Sequence, residues 1–373
     1  MRILHLAPHC DEVGNGVVNV AVDLAIKQRE AGHIVGLASA GGSMQSMLEA
    51  AGVRHFGSSM TWARPWRMIM ELRALAAAVA SFAPQIVHAH MVPGVILARV
   101  LRWRYGFRLV STVHNAPRPQ ATLMGLADRV IVVSTANRNA MARRGIPQRK
   151  LRLVKNGPLG SPRRRRSAIG GDAPAVRRPA IVTVARMFSQ KGIDDLIEAF
   201  ALLAPTLGEW TLYLVGEGPE RDKFEQQAAK TGFADRIRFT GFVRDPGKYL
   251  NQADVFVLAS RSDPFPLVIP EAREAGCAIV GTDVDGIREG LEDGQAGLLV
   301  PAGNPQALAQ GLWRLLSDPG ELALWRERAR ANLDWLRIER VVRETLAVYE
   351  ETLSEGPSVP ARLRLIARQD GSG

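Results

Sequence analysis

The sequence predicts an α/β fold made of two doubly wound domains in tandem. Short apolar strands alternate with stretches of helical periodicity, and this alternation stops near residue 157 and begins again at residue 180. Of the 373 residues, 46% are hydrophobic, which is enough for two cores. Alternating strands and helices favour parallel sheets with helices on both faces. Ligands bind such sheets beyond the carboxyl ends of the strands, so we expect function in those loops.

The first domain is predicted from five apolar strands with helices between them. Its first helix has amphipathic spacing from Val17 onward and stops at Gly32, because glycine favours the end of a helix. The predicted strands are 2–7, 34–39, 85–89, 108–113 and 129–133, and the predicted helices are 17–32, 65–82 and 94–105.

A segment rich in Gly, Pro, Ser and Arg follows, and it includes the run Arg163 to Arg166. This composition is typical of a linker between domains. The second domain then repeats the alternation. Its predicted strands are 180–185, 211–215, 237–240, 255–258 and 278–282, and its predicted helices are 193–203, 220–231 and 270–275.

The chain ends with an amphipathic helical segment and a tail. Val341, Val342, Leu346 and Tyr349 share one side of this helix. The expected organisation is an N-terminal domain (1–160), an Arg-, Pro- and Gly-rich linker (161–178), a C-terminal domain (179–335), a closing helix (336–355) and a flexible tail (356–373).

The charge of the chain is unevenly distributed. The formal net charge is +11, with +13 in residues 1–160 and −2 in the rest. A basic domain attracts nucleic acid, anionic bilayers or phosphate-bearing substrates, although an Arg-rich solvated surface would give the same count. Nucleic acid is not an expected partner, because no zinc-finger, helix-turn-helix, KH or RNP pattern occurs.

Composition also predicts the compartment. No apolar run approaches the roughly 20 residues that span a bilayer, and no secretory leader is evident, so we expect a cytoplasmic protein. Cys10 and Cys277 are the two cysteines of the chain and lie far apart in it. They predict neither a disulfide framework nor a thiolate metal site.

The loop after the first strand carries glycines before a helix. Asn15 and Gly16 follow Gly14, and a helix N-terminus with small residues lets a phosphate approach the backbone. A plain turn is the alternative. As a dinucleotide-binding fingerprint the loop is weak, because Asn19 occupies the place of the third glycine.

Two cations flank the corresponding loop of the second domain. Arg186 and Lys191 follow its first strand, where they could neutralise a diphosphate without a metal ion. Gly216, Glu217 and Gly218 form a tight loop after the next strand, and these three residues are candidate ligands of the same anion. Solvated surface charge is the alternative.

The segment SRSDPFPLVIPEAREA, at 260–275, carries two spaced carboxylates. Asp263 lies in a Pro-rich loop after a strand, and Glu271 lies eight residues later in the first turn of a helix predicted to begin at Pro270. One carboxylate could accept hydrogen bonds from sugar hydroxyls and the other from a ribose. The loop residues Phe265, Pro266, Leu267 and Val268 are further candidates for binding the donor, and the exposed amides of Phe265, Leu267 and Val268 could face phosphate.

Nine segments together resemble the family 4 glycosyltransferases of the GT-B fold, and the resemblance covers almost the whole chain. They are GNGVVNVAVDLA, IVHAHM, VSTVHN, VIVVSTANRNAM, LVKNGP, VARMFSQKGIDDLIEAF, LYLVGEGPE, DVFVLASRSDPFPLVIPEA and EDGQAGLLVP. The resemblance implies two Rossmann-like domains with a cleft between them. The N-terminal domain would face the acceptor, the C-terminal domain would bind the donor, and the closing helix would cross back to the first domain.

The resemblance also implies an activity and roles for particular residues. It implies retaining, metal-independent transfer of a sugar from a nucleotide-diphosphate sugar to a hydroxyl, on a lipid-linked or growing glycan of the cell surface. Arg186 and Lys191 would bind the donor diphosphate, and His114 would lie near the donor sugar. Asp263 and Glu271 match an E-x7-E pair that binds sugar and nucleoside, with Asp in place of the first Glu. No cofactor or metal is expected.

Two departures from the family pattern leave other functions open. Asp263 is one methylene shorter than Glu, and Asn15 replaces the first of two glycines. They motivate a second hypothesis, a catalytically weak or inactive scaffold that binds a nucleotide sugar, and the GNG loop leaves an oxidoreductase as a third. His114 could also be an ordinary hydrogen-bonded core histidine.

Two motifs that resemble metal sites are not expected to bind metal. Asp283 and Asp285 spell D-x-D, but they follow a strand in a segment that the family uses otherwise. His88 and His90 lie on one side of a strand, and no third ligand is evident near them in the sequence.

Mixed tryptophan and arginine predict an interfacial surface on the first domain. Rings of this kind lie at the level of lipid headgroups while the cations meet anionic lipid, so peripheral binding to the inner face of the cytoplasmic membrane is expected. A core position for the tryptophans is the alternative. The residues concerned are Trp62, Arg64, Trp66, Arg67 and Arg73 around one helix, and Arg102, Trp103, Arg104 and Arg108 after another.

Overall fold

The computed structural model describes residues 1–12, 14–60, 65–114, 119–167 and 175–355. The chain divides into two compact units. Unit 1 contains residues 1–156 and the closing segment from Ile338, and unit 2 contains residues Gly157–Arg337. Trp62, Arg64, most of the second half of the expected linker and the expected tail at 356–373 lie outside the described residues.

Unit 1 is built from strands that alternate with helices, as its apolar pattern predicts. All five predicted strands are present, each within one residue of its predicted bounds. Its elements up to residue 156 are β1 (Arg2–Leu6), α1 (Gly16–Glu30), β2 (Ile34–Ser39), α2 (Gln45–Ala50), β3 (Arg54–Gly57), α3 (Pro65–Phe82), β4 (Ile86–Ala89), α4 (Val92–Tyr105), β5 (Arg108–Val113), β6 (Arg129–Val132), α5 (Thr135–Arg143) and β7 (Leu151–Leu153).

The strands of unit 1 form one parallel sheet in the order β3-β2-β1-β4-β5-β6-β7. The chain leaves β1 toward one edge of the sheet and returns through β4 toward the other. The loops after β1 and β4 therefore diverge, which creates the usual ligand position of such sheets. The sequence analysis missed β3 and β7, which are only four and three residues long.

Unit 2 repeats this plan with six strands. Its elements are α6 (Pro162–Ser167), β8 (Ala180–Val184), α7 (Ile193–Leu203), β9 (Thr211–Val215), α8 (Arg221–Ala229), β10 (Ile237–Gly241), α9 (Gly247–Leu250), β11 (Val255–Leu258), α10 (Val268–Ala275), β12 (Ala278–Thr282), α11 (Asp285–Gly290), β13 (Leu298–Val300), α12 (Pro305–Leu316) and α13 (Pro319–Arg330).

The parallel sheet of unit 2 has the order β10-β9-β8-β11-β12-β13, so β8 and β11 flank its reversal point. Buried clusters cover both faces of this sheet. The sequence prediction missed several elements of this unit, namely β13, α9, α11, α12 and α13. The expected linker contains α6, and α10 begins at Val268 rather than at Pro270. A proline fits the first turn because amides there have no partner within the helix.

The closing helix α14 (Ile338–Ser354) belongs to unit 1. It packs on α1 and β5 through a buried stripe with helical spacing. The Lys27 ammonium on α1 lies 3.0 Å from the Glu339 carboxylate at the start of this helix. The buried stripe consists of Ile338, Val341, Val342, Thr345, Val348, Tyr349 and Thr352. No helix among the described residues is both apolar enough and long enough to span a bilayer.

Close backbone contacts hold the loops of unit 2 at the carboxyl edge of the sheet. Gly216 has a φ of +141°, and a Cβ atom there would lie 1.9 Å from the carbonyl oxygen of Ala185. Gly192 has a φ of +64°, and its Cβ would lie 2.0 Å from the carbonyl oxygen of Ala259. Only glycine permits both the backbone conformation and the approach.

We predict that Gly216→Ala destabilises unit 2. The new methyl group collides with backbone that cannot move as a side chain does, so the free energy of unfolding falls by about 3 kcal/mol. Equilibrium urea denaturation measures this loss. Gly208→Ala is the matched control, since Gly208 also has a positive φ of +52° but open space around its Cβ, and we expect a loss of only about 1 kcal/mol there. Equal losses would contradict the role of the contact.

Candidate functional site

Four loops meet at the carboxyl edge of the unit 2 sheet. They follow β8, β9, β11 and β12, which are neighbours in the sheet. The Met187 amide donates to the Glu217 carbonyl at 3.1 Å, which joins the first two loops. The Arg261 amide donates to the Gln190 carbonyl at 2.8 Å, and the Gly286 amide donates to the Asp263 carbonyl at 3.0 Å. The loops therefore form one connected backbone framework.

Lys191 and Asp263, predicted from separate motifs, are in direct contact. The Lys191 ammonium lies 2.6 Å from one carboxylate oxygen of Asp263, and the Asp263 side chain is 9% exposed. Burial raises the pKa of Asp263, while the Lys191 charge acts in the opposite direction. A buried carboxylate held by one partly exposed ammonium leaves that ammonium accessible to a second anion.

Arg186 lies two residues after β8, on the same loop as Lys191. Its side chain is exposed, and its guanidinium stands over the Phe188 ring, 5.7 Å from the centroid. Stacking of this kind holds the planar group while leaving its donors accessible. The loop thus presents two cations at the end of the strand beside the reversal point.

Arg261 is a residue of this site that the sequence analysis missed. It donates to both carboxylate oxygens of Asp194 at 3.0 Å, to Asp195 at 2.7 Å and to the Ser189 carbonyl. These bonds tie the loop after β11 to the start of α7. The sequence did contain a signal for this contact. Arg261 follows the strand β11, and the paired acids Asp194 and Asp195 lie in the first turn of α7, the helix that follows the neighbouring strand β8.

The Gly216–Gly218 loop contributes backbone rather than a free carboxylate. The Glu217 side chain accepts from Arg221 at 2.7 Å and from the Gly218 amide at 3.3 Å. The hydrogen bond from Arg221 lowers the pKa of Glu217. A Cβ atom at Gly218 would lie 2.4 Å from the Met187 carbonyl oxygen, so this loop lies directly on the Arg186 loop.

Glu271 lies in the first turn of α10 and is half-buried. The predicted loop residues Phe265, Pro266 and Leu267 precede that helix, and Val268 is its first residue. Phe265 is buried and meets the Trp335 ring edge to face, with the centroids 6.1 Å apart. The segment therefore begins in the buried Asp263 loop and ends in the turn that carries Glu271.

The D-x-D carboxylates have partners within unit 2. Asp283 forms two hydrogen bonds with Arg288, at 2.6 and 2.5 Å. Asp285 accepts from the Ser262 hydroxyl at 2.7 Å, next to Asp263. These contacts order the loop between β12 and α11.

The predicted residues of unit 1 lie in two places. Asn15 is the N-cap of α1, where its side-chain oxygen accepts from the Val17 amide at 3.1 Å, and Gly16 is the first residue of that helix. Capping therefore gives the asparagine a local structural role. His114 follows β5, is half-buried, and joins three histidines that are buried.

A third imidazole lies beside His88 and His90, so the sequence-based statement that no third ligand is nearby was wrong. The third is His5, which pairs with His88 across the parallel β1–β4 register. Ring nitrogens of the three lie within 4.8 Å of one another. Sequence spacing could not show this, because 82 residues separate His5 from His88 in the chain.

The histidines are connected to one another by short hydrogen bonds. The His5 Nδ1 lies 3.0 Å from His90 Nε2, and His90 Nδ1 lies 3.1 Å from His114 Nε2. The other nitrogen of His5 lies 2.8 Å from the Gln28 amide oxygen. Burial lowers the pKa of His5 and of His114 to about 4, and burial with the neighbouring imidazoles lowers the pKa of His90 well below its usual value.

Exposed apolar side chains cover part of unit 1. On α3, Trp66 is 51% exposed and Met70 is 61% exposed, and on the adjacent α4, Trp103 is 52% exposed. Arg67 stands over the Trp66 ring and Arg99 over the Trp103 ring, at 5.2 and 5.4 Å. We define the α3–α4 surface as Trp66, Arg67, Met68, Ile69, Met70, Val100 and Trp103.

Two arginines expected on that surface are buried instead. Arg102 is 8% exposed and forms an ion pair of 2.8 Å with Asp128. Arg108 is 9% exposed within β5. Both predictions were wrong because the sequence does not show which face of a helix end or strand packs inward. Arg73 and Arg104 are exposed.

Comparison with known families identifies both units. Residues 14–157 match the family described as "Glycosyltransferase Family 4", and residues 178–318 match the family described as "Glycosyl transferases group 1". Arg186, Lys191, Asp263 and Glu271 lie within the second match, and His114 lies within the first.

Similarity to curated proteins is partial in length. The lipopolysaccharide core biosynthesis glycosyltransferase LpsE of Rhizobium meliloti is 32% identical over 162 residues, which are 43% of this chain and 46% of LpsE. The glycogen synthase of Mycobacterium tuberculosis is 27% identical over 297 residues, which are 72% of this chain and 69% of that protein. The chain spans about half the length of LpsE.

Solved structures share the fold of the chain. The crystal structure of Anabaena HepE in complex with UDP and glucose has a TM-score of 0.77 and 23% identity, covering 95% of this chain and 99% of HepE. The lipopolysaccharide outer core galactosyltransferase WaaB in its apo form has a TM-score of 0.73 and 19% identity, covering 94% and 100%. With its two family matches and its GT-B fold, the chain belongs to the family 4-like glycosyltransferases.

Proposed function

We propose that the protein transfers a sugar from a nucleotide-diphosphate sugar to a hydroxyl of a lipid-linked or growing glycan, in the synthesis of lipopolysaccharide or another cell-surface polysaccharide. The observation that carries this proposal is the connected set of loops at the reversal point of the unit 2 sheet. That set joins Arg186, Lys191 and Asp263 on one backbone framework. The expected donor site of the family lies at this edge.

The proposed donor is a UDP-sugar. HepE, a structural neighbour of this chain, forms complexes with UDP, with UDP and glucose, and with UDP-glucose. The names of LpsE and WaaB refer to the lipopolysaccharide core, which supports an acceptor of that class.

In the proposed chemistry, cationic side chains of the protein lie against the leaving diphosphate. Arg186 and Lys191 stabilise the negative charge that develops on the diphosphate as the glycosidic bond breaks, and no metal ion takes part. Asp263 holds sugar hydroxyls, and Glu271 holds the ribose. The incoming hydroxyl attacks from the face that the diphosphate leaves and gives its proton to that diphosphate. The new glycosidic bond replaces the bond to the diphosphate on the same face, so the configuration at the anomeric carbon is retained.

We expect Arg186→Ala and Lys191→Ala each to weaken the binding of UDP by tenfold to about a hundredfold, because each removes a charge-assisted hydrogen bond to phosphate. Isothermal titration calorimetry measures the dissociation constant. Arg238→Ala is the matched control, since Arg238 is an exposed arginine of the same unit on the edge strand β10. A variant at Arg186 or Lys191 that binds UDP as the control does would contradict the proposed site.

Transfer itself is tested with a panel of UDP-sugars and a crude lipopolysaccharide acceptor. We expect a product whose new linkage has the anomeric configuration of the donor, read by nuclear magnetic resonance. The rate should be the same with EDTA as without it, because the cationic side chains neutralise the diphosphate. UDP-sugar binding with no transfer to any acceptor would favour the inactive scaffold instead, and an inverted product would exclude the retaining mechanism.

We further propose that unit 1 docks on an anionic membrane through the α3–α4 surface. Its exposed tryptophans and methionines suit the headgroup region, and residues 1–160 carry a net charge of +13. Two tryptophan rings are each accompanied by an arginine. A lipid-linked acceptor would be presented at such a surface.

We expect Trp66→Ser to reduce binding to vesicles that contain anionic phospholipid by about tenfold, because burial of a ring contributes about 1.5–3 kcal/mol. Sedimentation with the vesicles gives the bound fraction. Trp313→Ser is the control, since Trp313 is 44% exposed on α12 of the other unit. Equal binding of the two variants would place the contact elsewhere.

A further inference from the structure

We infer that the buried row Gln28–His5–His90–His114 fixes the tautomer of His114, so that this residue presents a hydrogen-bond acceptor to a sugar hydroxyl. His90, His5 and Gln28 are then positioning residues, since they act through His114. Only one part of this inference rests on the proposed function, namely that the hydroxyl bound by His114 belongs to a sugar. The order within the row is independent of any substrate.

The rings of the row meet edge to edge. The His5 and His90 centroids are 5.3 Å apart with an interplanar angle of 24°, and those of His90 and His114 are 5.4 Å apart at 26°. In each pair, the distance between the ring centroids equals the nitrogen–nitrogen distance plus the radii of the two rings. The two nitrogen atoms therefore lie on the line between the ring centres and face each other. This is the geometry of an N–H···N hydrogen bond and not of face-to-face stacking.

The buried surroundings of the row favour neutral imidazoles. His5 is 0% exposed and His90 is 3% exposed, and burial lowers the pKa of every imidazole in the row. Among the described residues, the other titratable groups that face the row are His88 on β4 and Tyr349 on α14, and the neighbouring Thr112 on β5 is uncharged. A neutral imidazole has one donor nitrogen and one acceptor nitrogen.

Neutrality makes each tautomer depend on its neighbour. The Gln28 amide oxygen is an acceptor, so His5 carries its proton on Nε2 and accepts on Nδ1. His90 must then donate from Nε2 and accept on Nδ1, and His114 must donate from Nε2. The Nδ1 atom of His114 is left as an acceptor, and it has no hydrogen-bond partner among the described residues.

The amide of Gln28 also begins a second branch. Its amide nitrogen donates to the Tyr349 hydroxyl at 3.3 Å, and that hydroxyl donates to His88 Nδ1 at 2.6 Å. His88 then donates from Nε2 to the Thr112 hydroxyl at 2.7 Å. Both branches begin at one amide, and with its oxygen toward His5 one arrangement of donors and acceptors satisfies all of these buried groups.

The same contacts argue against a metal ion among these histidines. Both nitrogens of His5, His88 and His90 already have partners at hydrogen-bond distance. A zinc ion would need a deprotonated nitrogen from each, and no carboxylate or thiolate adjoins them within the described part of the chain to offset its charge.

The proposed function of the row depends on His114, the end of the row that is partly exposed. His114 is half-buried while the rest of the row is fully enclosed, so its Nδ1 is the end that can meet a ligand. An acceptor at this position selects a group that donates, such as a hydroxyl, and rejects a carbonyl or phosphate oxygen. A fixed tautomer also spares the site the reorientation of a proton when the ligand binds.

Histidine-selective ¹⁵N labelling and long-range proton–nitrogen correlation spectra of the full chain test the inference. At neutral pH we expect the Nε2–H tautomer for His5, His90 and His114. Gln28→Leu removes the acceptor at the end of the row, so His114 should become a mixture of tautomers. Gln28→Glu keeps an acceptor and should restore the single Nε2–H form. Thr112→Val, a buried control that touches only the His88 branch, should leave His114 unchanged.

Several outcomes would overturn the inference. These are an Nδ1–H tautomer or an imidazolium at His114 in the unmodified protein, an unchanged His114 spectrum in Gln28→Leu, and loss of the ring N–H signals of His5 and His90 on addition of zinc. In the transfer assay, Gln28→Leu should lower kcat by about tenfold, the equivalent of one hydrogen bond. If no transfer occurs with any variant, the proposed function fails, and the spectra still decide the order of the row.

Discussion

Contact of backbone with backbone at the carboxyl edge of the unit 2 sheet is the constraint on which the candidate site depends. Gly192, Gly216 and Gly218 each face a carbonyl oxygen at a distance that excludes a Cβ atom. These contacts bring the loops after β8, β9 and β11 together, and only then do Lys191 and Asp263 meet at 2.6 Å. The side chains would carry the same charge in any loop, but they come together because the glycines allow the loops to approach one another closely.

Much of this arrangement follows from the sequence, because short-range patterns determine it. Apolar runs of four to six residues predicted β8, β9, β11 and β12, and the parallel arrangement placed their following loops at one edge. The meeting of Lys191 and Asp263 was therefore predictable. Arg261 was not, because its partners Asp194 and Asp195 become visible only when β11 lies beside β8.

In unit 1 the sequence analysis missed contacts that depend on how the strands pair within the sheet. His88 and His90 were recognised as a pair on one strand, yet His5 was missed, because a pairing between β1 and β4 leaves no trace in local spacing. Arg102 shows the same limit, since an arginine at a helix end resembles a surface charge until Asp128 is found beside it. Asn15 lies where the resemblance places a glycine, and its side chain caps α1 by accepting from the Val17 amide.

The two units present different kinds of side chain for ligand binding in the proposed function. In the proposed donor site, unit 2 offers cationic side chains, and burial raises the pKa of Asp263 against the opposing charge of Lys191. In the proposed role of His114, unit 1 offers an imidazole whose pKa burial lowers, which favours its neutral form. A diphosphate needs positive charge, whereas a hydroxyl needs an acceptor whose protonation does not change with its surroundings. The closing helix α14 takes part in the second task, because its Tyr349 lies in the core of unit 1 and accepts a hydrogen bond from the Gln28 amide.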